Sequence, residues 1–96
     1  MKMLMRTYID GQDGTEALKS GALQKAIQSF IETFKPEATY FTVESGSRSG
    51  LYVFDMKDSS QMPALGEPFF ALGCRVTLMP CMGPQDLHAG LAAAEL

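Results

Sequence analysis

Hydrophobic and polar residues alternate along three segments of the chain in the way that predicts β-strands. The segments are residues 1–9, 38–44 and 74–80, and in each one every second residue faces the same side of a sheet. A fourth segment, residues 50–56, is apolar on both sides. Such a pattern is typical of a central strand that is covered on both faces. The sequence therefore predicts four strands, with the third in the middle of the sheet.

A long segment between the first two strands has the spacing of an amphipathic helix. Residues 10–14 form a turn cluster, and helical spacing follows them as far as Phe34. Gly21 weakens the first turns, and Ser20 could cap a shorter helix that begins there. The helix could therefore begin directly after residue 14 or at Ser20. Its predicted apolar face consists of Leu23, Ala26, Ile27, Phe30, Ile31 and Phe34.

Two further helices are predicted in the second half of the chain. One follows the helix-capping residues 58–60 and ends at Gly73. Pro68 would remove an interior hydrogen bond from it, which predicts a kink or a break near Glu67. The other begins at a proline and covers about residues 84–94.

The order of these elements predicts the fold class and an assembly. A β-α-β-β-α-β order with a C-terminal helix indicates an α+β, ferredoxin-like sandwich, with one domain over residues 1–96 and the helices on one face of the sheet. The other face is too apolar for plain solvent surface and too polar for a core. Pairing with a second copy would bury it, so we expect a homodimer. Besides one side of the third strand, this face carries Leu4, Arg6, Tyr8, Tyr40, Thr42, Glu44, Arg75, Thr77 and Met79.

Composition and charge narrow the classes of partner. The chain has 96 residues, of which 46% are hydrophobic and 20% charged, and its net charge is −3. This balance gives no electrostatic footprint for nucleic acid or for an anionic membrane. Asp10 and Gly11 interrupt the N-terminal segment before a signal-peptide core could form, so a cytoplasmic protein is expected. We expect Cys74 and Cys81 to be reduced thiols.

Side chains on the helix-free face of the predicted sheet form the main candidate binding site. Arg6 could hold a carboxylate or enolate oxygen, while the phenols of Tyr8 and Tyr40 could donate hydrogen bonds or stack on a planar ligand. Glu44, if aromatic neighbours desolvate it, could act as a base near neutral pH. Tyr52 either joins this site or points toward the helices, because both sides of its strand are apolar. The alternative is that these groups satisfy one another across a dimer interface.

Three further features carry chemical hypotheses. Glu67 precedes Pro68 where a helix should be irregular, which sometimes marks a ligand site, although pairing of the carboxylate with a nearby amine or amide is the alternative. Residues 46–50 with Arg48 could bind an anion through backbone amides, or could form a simple hairpin turn. His88 is the only histidine, and no cluster has metal-ligand spacing, so we expect neither a metal nor another cofactor.

Several segments of the chain carry a family resemblance. Residues 35–42, 46–56, 67–70, 80–82 and 86–87 resemble a family of small uncharacterised bacterial proteins, and the resemblance covers about residues 36–91. The family is similar to the dimeric α/β-barrel group, in which two ferredoxin-like subunits pack sheet to sheet. Structural relatives in that group include cofactor-free monooxygenases of polyketide quinones, muconolactone isomerases and haem-binding proteins.

The resemblance implies a homodimer and leaves three functional hypotheses. The first is a small-molecule-binding protein. The second is a cofactor-independent monooxygenase or isomerase that acts on a planar or acidic metabolite. The third is a structural or interaction homodimer without a ligand. Fold-level likeness does not choose among them.

Overall fold

A computed structural model describes residues 1–96 as a four-stranded antiparallel sheet with helices packed on one face. The strands are β1 (Lys2–Ile9), β2 (Ala38–Glu44), β3 (Ser47–Asp55) and β4 (Arg75–Pro80), in the spatial order β2-β3-β1-β4. The helices are α1 (Gly11–Ser20), α2 (Ala22–Phe34), α3 (Met62–Phe70) and α4 (Pro84–Ala93). The predicted α+β class and ferredoxin-like arrangement are confirmed, and β3 lies inside the sheet as expected.

The strands follow the predicted alternation closely. In β1 the residues Met3, Met5, Thr7 and Ile9 are at most 6% exposed, whereas Leu4, Arg6 and Tyr8 between them are half-buried. The turn before β3 is shorter than expected, since only Ser45 and Gly46 separate the two strands. Both have positive φ angles, 52° and 77°, which is the conformation that a two-residue type I′ hairpin turn requires. The predicted hairpin turn is therefore present but is confined to residues 45 and 46, and residues 47–49 belong to β3.

The first predicted helix is two helices joined at Gly21. The predicted turn at residues 10–14 is wrong, because α1 already begins at Gly11. Gly21 has a φ of 82° and donates its N–H to the carbonyl of Leu18, so it ends α1, and α2 begins immediately after it. Ser20 accepts the N–H of Ala22 at 3.3 Å, which supports the start of α2.

Helix α3 runs through Pro68 without a break, so the predicted interruption near Glu67 is wrong. Pro68 lies in the last turn of the helix, where it removes one hydrogen bond and leaves the preceding turns intact. Phe69, only 1% exposed, anchors the same turn in the core. Asp58 caps the 3-10 turn before the helix by accepting the N–H of Ser60 at 2.8 Å.

Helix α4 differs from the other helices in its surroundings. Its bounds match the prediction, but none of its residues is buried. Leu87 and Leu91, one turn apart, are 46% and 41% exposed. None of the helices in the structure combines the length and apolar character that a membrane crossing requires.

An aromatic cluster joins α2 to the sheet. The ring of Phe30 has its centroid 4.9 Å from Tyr52, 5.2 Å from Phe54 and 6.3 Å from Phe69. Tyr52 is fully buried against these rings. Of the two orientations that the sequence left open for Tyr52, the structure therefore has the one that faces the helices.

Truncation of Phe30 should cost more stability than any surface truncation. We expect Phe30→Ala to lower the free energy of unfolding by about 3–5 kcal/mol, because it leaves a cavity among four aromatic rings. Chemical denaturation followed by circular dichroism measures this change. Phe70→Ala is the control, since Phe70 is 51% exposed and should lose much less. Equal losses for the two variants would contradict the assigned core.

Candidate functional site

The two faces of the sheet carry different chemistry. The face without packed helices is called here the open face. The strand register places on it Lys2, Leu4, Arg6, Tyr8, Ala38, Tyr40, Thr42, Glu44, Ser47, Ser49, Leu51, Val53, Asp55, Arg75, Thr77 and Met79.

Three of the predicted site residues meet on the open face. Arg6 Nη1 donates to Glu44 Oε1 at 2.7 Å, and the Tyr8 hydroxyl donates to Glu44 Oε2 at 2.5 Å. Glu44 lies on β2 and its two partners lie on β1, so both contacts cross β3. They are possible because β3 presents only the small side chains of Ser47 and Ser49 at that point.

The electrostatics of this cluster argue against a basic role for Glu44. The hydrogen bond from Tyr8 and the charge of Arg6 hold the pKa of the Glu44 carboxyl below its ordinary value, although partial desolvation opposes them. A lowered pKa is the opposite of the shift that a base near neutral pH requires. Arg75 lies 5.0 Å above the Tyr8 ring and 3.8 Å from Asp10, so the polar groups of the open face largely satisfy one another.

The other predicted site residues lie elsewhere. Tyr40 is on the open face, 66% exposed and paired across the strands with Leu51, but it makes no side-chain hydrogen bond with the cluster. Tyr52 faces the helices, so it does not belong to the predicted site on the open face. Glu67 is exposed on α3, in the layer on the opposite side of the sheet. The structure thus brings together Arg6, Tyr8 and Glu44 and separates the remaining three.

A cleft of about 590 Å³ lies on the helix side of the sheet, between helices α1 and α2 and strands β2 and β3. We call it the helix cleft. No strand or helix pattern predicted this cleft, which lies on the side of the sheet opposite to the predicted site. The apolar part of its wall consists of Ile9, Leu18, Leu23, Ile27, Ile31 and Phe41.

Tyr52 supplies the most unusual polar atom of the helix cleft. Its hydroxyl is buried and makes no hydrogen bond, although the Thr7 hydroxyl lies close by. Burial raises the pKa of the Tyr52 phenol, and the Thr7 hydroxyl offsets part of this rise. Gly50 makes room for both groups, since a Cβ atom there would lie 2.7 Å from the Tyr52 oxygen and 2.9 Å from Thr7 Oγ1. The phenol therefore stays protonated at neutral pH, and its hydroxyl lies just behind the surface of the cleft wall.

Arg48 lines the same cleft. Its Nη1 donates to the carbonyl of Gly11 at 3.1 Å, and its Nη2 donates to Thr15 Oγ1 at 3.2 Å. Gly14 permits this position, because a Cβ atom there would lie 2.5 Å from Nη1. Arg48 lies in β3 rather than in the predicted turn. Counting back in steps of two from Tyr52 would have placed it on the helix-facing side of β3.

The remaining reactive groups form no separate site, although Cys74 lines the helix cleft. Cys74 and Cys81 are free thiols, and burial raises the pKa of Cys74 to about 11, so this thiol is protonated and unreactive at neutral pH. His88 is exposed on α4. No three His, Cys, Asp or Glu side chains lie close enough together to hold a metal ion.

Comparisons with known proteins assign no family. No protein-family model matches the chain, and no curated protein matches it. Among solved structures, it is similar to a Deinococcus radiodurans protein called a "putative antibiotic biosynthesis monooxygenase", with 11% sequence identity and a TM-score of 0.48. The match covers 86% of this chain and 94% of that one. A likeness at this level assigns no activity.

The charge cluster on the open face should be visible in an acid titration. Because the pKa of folded Glu44 is lowered, its stabilising effect is present above pH 4.5, its ordinary value, and is lost as the pH falls through the folded-state pKa. Carboxyl-carbon NMR should therefore show Glu44 titrating below pH 4.5, and Tyr8→Phe should move the titration upward. Tyr40→Phe, which removes a phenol outside the cluster, should leave it unchanged. Titration of wild-type Glu44 at or above pH 4.5 would contradict the geometry.

Proposed function

We propose that this protein binds a small apolar molecule in the helix cleft, and that it does so as a homodimer formed through the open face. The observation that carries the first part is the Tyr52 hydroxyl, which is buried without a partner at the wall of the cleft. A buried polar group without a hydrogen bond costs about 1–3 kcal/mol. A ligand that accepts this hydrogen bond recovers part of that cost.

The shape of the cleft supports the same proposal. Small-molecule sites usually occupy about 300–1,000 Å³ and combine apolar walls with a few polar groups. The helix cleft falls within this range at about 590 Å³. At its floor, the space that a side chain at position 50 would occupy is filled by the hydroxyls of Tyr52 and Thr7.

Binding is favoured over catalysis by the residues of the wall. No carboxylate and no imidazole lines the helix cleft, and the Tyr52 phenol has a raised pKa, so it donates a hydrogen bond but does not remove a proton at neutral pH. A monooxygenase or isomerase that needs a side-chain base would lack one here. The small-molecule-binding hypothesis is therefore the one that we keep.

A second copy is the partner that best fits the open face. Leu4, Leu51 and Val53 form an apolar, half-buried strip across β1 and β3. Beside it, Arg6 and Arg75 are balanced by Glu44 and Asp10 within the same chain. A face with no net charge of its own can meet an identical face without like-charge repulsion.

Helix α4 supports the dimer independently. It has ten residues and none of them is buried. Isolated helices shorter than about 12–15 residues are marginal in water. Contact with a second copy would cover Leu87 and Leu91 and stabilise the helix.

Ligand binding can be tested with the neutral fluorescent probe N-phenyl-1-naphthylamine. We expect saturable binding to the wild type and affinity about tenfold lower for Gly50→Ala, a loss of about 1.4 kcal/mol, because the new methyl group would displace the Tyr52 and Thr7 hydroxyls at the cleft floor. Gly90→Ala is the matched control, since nothing lies within 4 Å of that position. If Gly50→Ala does not fold, Ile31→Trp blocks the cleft from its rim instead. Wild-type affinity in folded variants of both kinds would contradict the site.

The dimer can be tested by sedimentation equilibrium at micromolar concentration. We expect the wild type to sediment with the mass of two chains and Leu51→Arg to sediment as one chain, because the charge would be buried without a partner. Met62→Arg is the control, because Met62 is on α3, in the helix layer, and is 45% exposed. A monomeric wild type would overturn this part of the proposal.

A further inference from the structure

We infer that the ligand of the helix cleft is a ring-sized apolar molecule that carries one carboxylate, and that Arg48 binds this carboxylate. The inference rests on the proposed function, because it names the class of molecule that the cleft takes. It is drawn from the surroundings of Arg48 and from the composition of the cleft wall.

Arg48 is the arginine whose charge no carboxylate balances. Arg6 and Arg75 each have a carboxylate oxygen within 4.0 Å, at 2.7 Å and 3.8 Å. Arg48 has none, and its two hydrogen bonds go to the neutral oxygens of Gly11 and Thr15. A guanidinium has five N–H donors, so at least three remain for a ligand.

The guanidinium is also held in place before any ligand arrives. Its two contacts to α1 fix it against the helix, and the missing side chain of Gly14 lets it lie there. A cation that is already oriented loses little conformational freedom on binding. The planar fork of arginine matches the two oxygens of a carboxylate.

The rest of the wall limits the ligand to a single negative charge. Arg48 is the only cationic side chain that lines the helix cleft, and most of the wall is apolar. A phosphate with two charges would leave one of them unpaired in an apolar setting, which is costly. A monoanion with an apolar ring matches both parts of the wall.

The polar groups on β3 suggest how such a molecule lies. Arg48, Gly50 and Tyr52 occupy successive positions on the helix-facing side of the strand. The carboxylate would contact Arg48, and the ring would lie against Ile27 and Phe41. The Tyr52 hydroxyl would donate to an acceptor at the far end of the ring.

The test compares 2-naphthoate with 2-naphthamide, which have nearly the same shape but differ in charge. Isothermal titration calorimetry should show that the wild type binds the naphthoate at least about tenfold more tightly. Arg48→Gln should abolish this preference and leave the affinity for the amide within about twofold, which also shows that the variant is folded. Lys25→Gln, which removes an exposed positive charge from α2, should keep the preference.

The outcomes separate the inference from the proposed function. Equal binding of the two compounds by the wild type, or an unchanged preference in Arg48→Gln, overturns the inference and leaves the cleft as a binding site. Equal loss of preference in Lys25→Gln also overturns it, because the effect would then be one of overall charge. If Arg48→Gln does not fold, Arg48→Lys should retain only part of the preference, and full retention counts against the bidentate contact. Absence of binding for both compounds and for the neutral probe overturns the proposed function itself.

Discussion

The packing of Phe30 against Tyr52 and Phe54 is the contact on which the rest of the structure depends. Side chains of a strand alternate between two sides, so fixing the side of Tyr52 fixes every other residue of β3. Gly50 and Arg48 then face the helices and form one wall of the helix cleft, while Leu51 and Val53 face the other way. A shift of β3 by one residue would exchange the two sets and remove both the cleft and the apolar strip of the open face.

The two faces of the sheet treat their charged groups in opposite ways. On the open face, Arg6, Tyr8 and Glu44 bind one another, and the lowered pKa of Glu44 is the consequence of that arrangement. On the helix side, Arg48 and Tyr52 are held in place but leave donors unused. Polar groups that bond to one another within a chain can be covered by a second copy without losing hydrogen bonds. Polar groups with unused donors can instead bind a ligand. This contrast is why we assign self-association to one face and binding to the other.

The sequence predicted the strands better than the site, for physical reasons. In β1, β2 and β4 polar and apolar residues alternate, so the alternation alone predicts that Arg6, Tyr8 and Glu44 share one face of the sheet. β3 is apolar on both sides, so the orientation of Tyr52 depended on its contact with Phe30, which is distant in sequence. The turn ends at Gly46, but Ser47, Ser49 and Gly50 after it are also typical turn residues. The pattern therefore predicted that Arg48 lies in the turn. The helix cleft itself arises from the spacing of helices and sheet, to which Gly14 and Gly50 contribute by lacking a side chain, and no local pattern encodes that spacing.

The most direct test of this division of roles is a set of nuclear Overhauser effects between methyl groups of the protein and a bound naphthoate. The methyl groups of Ile9, Ile27 and Ile31 line the helix cleft, whereas those of Leu4, Leu51 and Val53 lie on the open face. The account predicts contacts from the ligand protons to the isoleucine methyl groups and none to the second set. Contacts to Leu4, Leu51 or Val53 instead would place the ligand on the opposite side of the sheet and contradict the account.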